Sequence, residues 1–193
     1  MRNLAVPAIA ANTTVSAARV AAPAMTGGKA DRTFERVALP VAGTAGAVSS
    51  ASLRVPIDGV SIDSFKGGFD ERRGGNRPHE AIDILAPRYT PVHAVENGAV
   101  AKLFHSNAGG LTIYQADPSG SRVYYYAHLD HYADGLHEGQ AVAQGDIIGF
   151  VGTSGNAPVN TPHLHFAVFQ LDDTRRWWKG KALDPYLVFK NRG

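Results

Sequence analysis

Thr161-Pro162-His163-Leu164-His165-Phe166-Ala167-Val168-Phe169 reads as a β-strand that starts at or just after its proline. Proline cannot donate to a ladder and is accepted at a strand's first residue. Side chains of an extended chain alternate between two faces. Leu164, Phe166 and Val168 therefore point to one side and can enter a core, while His163 and His165 project together on the other. Two imidazoles sharing the second face of such a strand suit a metal site, or a metal ligand beside a general base. A solvated strand face carrying two histidines accounts for the same pattern.

The same texture recurs on either side of this segment. Gly110–Ala116, Arg122–Leu129 and Asp146–Gly152 are short β-rich runs, separated by turn signals at Gly109-Gly110, Asp117-Pro118-Ser119-Gly120 and Gly152-Thr153-Ser154-Gly155-Asn156. Turn marks roughly ten residues apart, with almost no helical periodicity, predict an all-β domain, an antiparallel β-sheet sandwich or barrel. Segments starting at Glu96 and Glu138 echo one another as β-turn-β units, a texture shared with biotinyl and lipoyl carrier domains. No lysine sits at a matching hairpin tip, so a carrier role is not expected.

Composition limits where this domain lies. A chain of 193 residues, 44% hydrophobic and 19% charged, can enclose one sizeable core. Phe34 is the only one of seventeen aromatic residues in the first 50 positions, where fourteen alanines sit among Thr, Ser, Pro and Gly. Residues 1–50 are expected to be an extended or disordered leader and residues 51–193 the folded domain, although Phe34–Pro40 could add an edge strand. Met1-Arg2-Asn3, the short apolar run to Ala11 and the small-residue pattern Ala8-Ile9-Ala10 resemble a clipped secretory signal; a plain tail is the alternative. The leader carries +3 and residues 51–193 carry −1, which argues against a broad basic face for nucleic acid. With no cysteine, thiolate zinc sites, disulfide scaffolds and Cys nucleophiles are excluded, so any metal must be held by His, Asp or Glu. No apolar run reaches the roughly 18 residues a spanning helix needs.

Two further histidines gain interest from their surroundings. In His79-Glu80-Ala81-Ile82-Asp83 an extended chain would hold the ends about 13 Å apart, whereas two ligands of one zinc have donors about 3–3.5 Å apart. The chain must turn for both to bind, and Pro78 and the small Ala81 are compatible with that. A surface loop leading into the buried run Ile84-Leu85-Ala86 is the alternative. In Val123-Tyr124-Tyr125-Tyr126-Ala127-His128-Leu129 a β-rich run ends in a histidine, and Tyr124, Tyr126 and His128 are expected on one face. Such a strand-end histidine is commonly satisfied by a backbone carbonyl.

Taken in order, His79-x-x-x-Asp83, Tyr126-Ala127-His128-Leu129 and Pro162-His163-Leu164-His165-Phe166 resemble the LytM/lysostaphin-type (M23) zinc metallopeptidases that cut peptidoglycan peptides. The resemblance runs from about Phe65 to Phe189 and includes Thr90-Pro91-Val92-His93-Ala94, Gly145-Asp146-Ile147-Ile148-Gly149, Gly152-Thr153-Ser154-Gly155 and Leu183-Asp184-Pro185-Tyr186. It implies a duplicated hybrid β motif, one Zn²⁺ held by His79, Asp83 and His165, and His128 and His163 as the catalytic pair. It also implies peptidoglycan peptides as substrate and an extracytoplasmic location, periplasmic, wall-associated or secreted. The alternative within the same fold is a non-catalytic wall-binding or amidase-activating module. Two departures stand out: Ala81 occupies a place where the family often has glycine, which predicts strain in the turn, and the tyrosine some members place near the reacting carbonyl has no evident counterpart.

Other polar groups have simpler readings. Glu80 lacks the helix and the second histidine that a His-Glu-x-x-His site needs, so it is expected to be exposed. His93, His105, His131 and His137 are expected at the surface or in local hydrogen bonds. Gly149, Gly152 and Gly155 precede a strand and no Lys-Ser/Thr pair, so they mark turns rather than a phosphate loop, with Thr153, Ser154 and Asn156 available to line a groove. Arg72, Arg73, Arg77 and Arg175-Arg176-Trp177-Trp178-Lys179 suit either contact with an anionic wall polymer or membrane surface, or a solvated loop whose tryptophans pack on the sheet edge.

Overall fold

The computed structural model describes residues 52–73 and 77–192. The expected leader, its signal-like start and the Phe34–Pro40 edge strand lie outside the described residues. The elements in chain order are a 3-10 turn (Ile62–Phe65), β1 (Arg72–Arg73), β2 (Arg77–Pro78), β3 (Ile82–Leu85), β4 (Pro91–His93), β5 (Gly98–Ser106), β6 (Gly110–Ala116), β7 (Arg122–Tyr132), β8 (Ala141–Val142), β9 (Ile147–Val151), β10 (His163–Leu171), β11 (Gly180–Leu183) and α1 (Pro185–Lys190). The domain is all-β in its framework, as expected, and its nine-stranded antiparallel sheet stays open rather than closing into a barrel.

Two long strands organise the sheet. β10 pairs along one edge with β7, and along the other first with β3 and then with β11. β7 lies against β6 on its far side, and beyond residue 127 its near edge passes from β10 to β9. β5 and β8, the starts of the two echoing segments, pair with each other through Gly98 and Val142.

The core lies on the face reached by Leu164, Phe166 and Val168, each of which is fully buried. Burial of such side chains contributes about 1.5–3 kcal/mol apiece relative to exposure. Leu53, Ile57, Phe65, Ile82, Ile84, Val92, Val95, Ile148 and Val151 belong to the same cluster. Within it Tyr126 donates to Gln115 Oε1 at 2.6 Å and accepts from Val95 N–H at 3.2 Å, so its buried hydroxyl is satisfied.

The helix α1 was not anticipated by periodicity. It is only six residues long, too short to show a 3.6-residue repeat, but its start is written locally. Asp184 accepts from Tyr186 N–H at 2.9 Å as N-cap and Pro185 occupies the first turn. Phe189 then inserts between Phe65 and Phe166, with ring centroids 5.5 and 5.9 Å away.

Candidate metal and catalytic centre

The core-averse face of β10 carries the site. Antiparallel register places Asp83 of β3 directly across from His165, with Ala127 of β7 on the other flank. Cross-strand neighbours on one face lie within side-chain reach, and His165 Nδ1 is 3.0 Å from Asp83 Oδ1.

His79 reaches the same point because the chain folds back between β2 and β3. His79 N–H donates to Glu71 O at 2.9 Å and Glu80 N–H to Phe69 O at 3.0 Å, laying the segment along residues 68–71. The left-handed residue that makes the turn is Glu80, at φ 56°. Strain expected at Ala81 therefore falls one residue earlier: Ala81 is buried and has no positive φ. Glu80 itself is exposed, as expected. His79 Nδ1 bonds Gly68 O at 3.0 Å. A carbonyl only accepts, so Nδ1 carries the proton and Nε2 presents its lone pair inward.

His79 Nε2, Asp83 Oδ1 and His165 Nδ1 form a small triangle with sides of 3.2, 3.3 and 3.0 Å. Neighbouring ligands about 2.0–2.1 Å from a tetrahedral zinc are ~3.3 Å apart. The donor set of two imidazoles and one carboxylate also suits that ion and leaves a coordination position open. The three residues thus fit a metal site in both chemistry and spacing.

His128 arrives by a route that strand alternation does not give. From Tyr126 to Leu129 β7 spends three steps against the two from Ile113 to Leu111 on β6, so it holds one extra residue, a β-bulge. His128 sits there at φ 60°, and its N–H donates to Gly109 O at 2.8 Å. The expectation that it shares a face with Tyr124 and Tyr126 is therefore corrected. Those two tyrosines and Leu129 are buried in the core, whereas the bulge turns His128 over the sheet, its ring centroid 4.9 Å from His163 and 5.6 Å from His165. His163 Nε2 lies 3.9 Å from Asp83 Oδ1.

The two imidazoles outside the triangle are oriented alike. His128 Nδ1 donates to Ser154 O and His163 Nδ1 to Thr161 O, each at 2.8 Å. Both Nε2 atoms are consequently the basic nitrogens. Burial lowers the His128 pKa by disfavouring the cation; the Ser154 carbonyl works against this, and the neighbouring His165 and His163 reinforce it. A neutral imidazole able to accept a proton results.

Some contributors were missed or misread. Ser154, expected to line a groove, has its hydroxyl committed: it donates to Leu129 O at 2.6 Å and accepts from Leu111 N–H at 2.9 Å, tying the loop to the bulged strand. Tyr125, on the opposite face from Tyr124 and Tyr126, stands edge-on to His165 at 6.0 Å. Strict alternation along β7 would have found it. Burial pushes its phenol pKa upward, keeping the hydroxyl protonated. Of the remaining histidines, His131 and His137 make local bonds, to Asp130 and Gly135 O, His93 bonds the distant Gly145 O, and His105 is exposed. His93 differs from expectation in being buried.

Comparison with known proteins places this arrangement. The profile described as Peptidase family M23 matches residues 77–185. An L-Ala–D-Glu endopeptidase from Bacillus subtilis (strain 168) is 35% identical over 130 residues, which cover 64% of this chain and 38% of that protein. Peptidoglycan DD-endopeptidase ShyC from Vibrio cholerae serotype O1 is 32% identical over 125 residues, 62% of this chain and 27% of that protein. The chain thus spans well under half the length of these curated relatives. The solved catalytic domain of lysostaphin from Staphylococcus simulans superposes with a TM-score of 0.55 at 27% identity, covering 67% of this chain and 95% of that domain. Among the described residues no helix is long and apolar enough to cross a membrane.

Proposed function

The chain belongs to peptidase family M23, and from that premise we propose that it is a zinc-dependent endopeptidase acting on the stem or cross-link peptides of bacterial peptidoglycan outside the cytoplasm. The observation that carries this reading is the triangle of His79, Asp83 and His165 donors, 3.0–3.3 Å apart, beside two imidazoles whose Nδ1 atoms are held by backbone carbonyls. Zinc bound there would activate water and polarise a peptide carbonyl near neutral pH.

The chain's own residues supply the proton handling. In this reading one Nε2 of the His128/His163 pair takes the proton released by the attacking water and returns it to the departing amine. The second imidazole, once protonated, stabilises the negative charge developing on the carbonyl oxygen. The carbonyls of Ser154 and Thr161 hold both rings against rotation, which is what proximity catalysis requires. Tyr125, a neutral phenol beside His165, is a further hydrogen-bond donor at the cleft. Convergence of all five side chains favours this hydrolase over a non-catalytic wall-binding module. Residues 51–193 are assigned the catalytic domain and residues 1–50 a leader.

Purified protein is expected to carry about one zinc per chain and to lower the turbidity of isolated sacculi, with activity lost to a chelator and restored by zinc. His128→Ala and His163→Ala should each keep the metal and lose at least ~100-fold in rate. Full activity of either variant with metal bound would overturn the assignment.

A further inference from the structure

The sheet face that bears His163 and His165 continues along β10 and β7, away from the proposed catalytic end. Aromatic rings mark the way. Tyr125, beside His165, lies 4.8 Å from Tyr114, which lies 4.4 Å from Trp177. Trp177 in turn contacts Phe104 at 6.0 Å and Trp178 at 5.1 Å. Past these rings opens a cavity of about 550 Å³, with Val123 and Leu171 among its apolar lining, Trp177 at its side and Glu138, Asp173 and Arg175 contributing charge. That volume is within the ~300–1,000 Å³ range of small-molecule sites.

We propose that this cavity is a carbohydrate subsite, holding one N-acetylhexosamine ring of the glycan strand against the face of Trp177. It rests on the reading that peptidoglycan is the substrate. An aromatic wall meets the C–H face of a pyranose, while carboxylates and a guanidinium around it meet a ring of hydroxyls that both donate and accept. A polyanion fits worse, because the charges are mixed: Glu138 pairs with Lys102 at 2.6 Å, and Asp173 stands beside Arg175. Reach agrees as well. His165 and Leu171 are six residues apart on β10, about 20 Å, and an extended stem of four or five residues spans ~15 Å, so a cut at the far end of the stem, in the cross-link, is the one that leaves the sugar near this end of the sheet.

The shelf is preformed. Arg175 donates to Ser119 O at 2.9 Å, fixing the 172–179 loop to the turn before β7, and Leu171 N–H and Gln170 Nε2 both donate to Ser121 O at 2.8 Å, fixing the end of β10 to the same turn. A fixed loop loses little freedom on binding, which favours affinity.

The chain has only two tryptophans, and both are in this loop, so tryptophan emission reports on this loop. Titration of the full chain with chitotetraose should give a saturable emission change, with matching heat by calorimetry. Trp177→Ala should weaken binding at least tenfold, Trp177→Phe less than threefold, and KM for glycan-linked stem peptide should rise at least fivefold in Trp177→Ala with hydrolysis of free stem peptide unchanged. Should Trp177→Ala fail to fold, Asp173→Ala at the exposed rim should weaken chitotetraose binding at least threefold. The subsite is refuted by absence of binding in both measurements, by equal losses on glycan-linked and free peptide, or by polyglycerol phosphate binding in place of the sugar. The outcomes stay separate: chitotetraose bound by the parent chain with no hydrolysis of any peptide sinks the peptidase reading alone, whereas His79→Ala should lose hydrolysis and keep the sugar.

Discussion

Gly155→Ala should cripple catalysis from a position outside the five site residues. Gly155 has φ +74°, and a Cβ there would fall 2.3 Å from Gly110 N and 2.5 Å from Ala108 O. Relaxing the first contact to 3.4 Å requires a shift of 3.4 − 2.3 = 1.1 Å between the 152–156 loop and the hairpin at 106–110. Those two segments supply the carbonyls that hold His128, Ser154 O for Nδ1 and Gly109 O for the N–H, each at 2.8 Å. Left-handed alanine costs about 1–2 kcal/mol and overpacking about 1–3 kcal/mol, a sizeable part of a typical ~5–15 kcal/mol stability. A displacement of about 1 Å at a catalytic group costs on the order of 100-fold in kcat. Gly135→Ala is the control: φ is +75° but nothing lies within 4 Å, so only the backbone strain applies. Urea melts and kcat on a stem peptide, measured on both variants, decide the matter. If Gly155→Ala matched Gly135→Ala in stability and kept the parental kcat, the positioning argument would be refuted.

Three other outcomes are expected. Ser154→Ala removes the acceptor for Leu111 N–H and should cost about 1–3 kcal/mol in denaturant melts, with kcat falling more than KM changes because the bulge under His128 loosens; Ser154→Thr should rescue part of both. His79→Ala and Asp83→Asn should each abolish stoichiometric metal in elemental analysis and remove the rise in melting temperature that added zinc gives the parent chain; an undiminished zinc-induced shift in either would exclude that residue as a ligand. At low pH the Asp130 pair becomes relevant. Burial alone would raise the Asp130 pKa, but its bonds to His131, 2.9 Å, and Arg88, 2.7 Å, bring it below the usual carboxylate value. A folded-state pKa below the unfolded ~3.9 contributes stability that is present above that pH and lost as pH falls through the folded value. Acid melts of Asp130→Asn should therefore show a shallower decline below about pH 4 than the parent; an identical acid limb would show that the pair is inert.

The bulge at His128 is the device on which the site depends. β10 and β7 run side by side, and a regular β7 would send residue 128 into the core with Tyr124 and Tyr126. One inserted residue and one left-handed φ reverse that side chain, at a point where β7 exchanges β10 for β9 as its neighbour. Bulges re-aim side chains at the cost of ladder bonds, and here the cost is offset by Gly109 O, which takes the His128 N–H.

Part of the strand framework, and which of its faces is buried, was settled locally. Period-two alternation is a property of the extended backbone alone, so His163–Leu171 and Gly110–Ala116 could be bounded to the residue, and His163 and His165 set opposite Leu164, Phe166 and Val168, without any partner strand. The convergence of His79, Asp83 and His165 could be expected from resemblance but not from spacing, because a chain separation of 86 residues carries no distance. Cross-strand register decided it, by placing Asp83 opposite His165, and so did hydrogen bonds from residues 79 and 80 to the distant 69–71 segment. Positive φ at Glu80 and His128, the committed hydroxyl of Ser154 and the contact of Gly110 with Gly155 belong to the same class. Each is a conformation or a use of a polar group that no residue prefers in isolation and that becomes favourable only when neighbours far along the chain supply the missing partner.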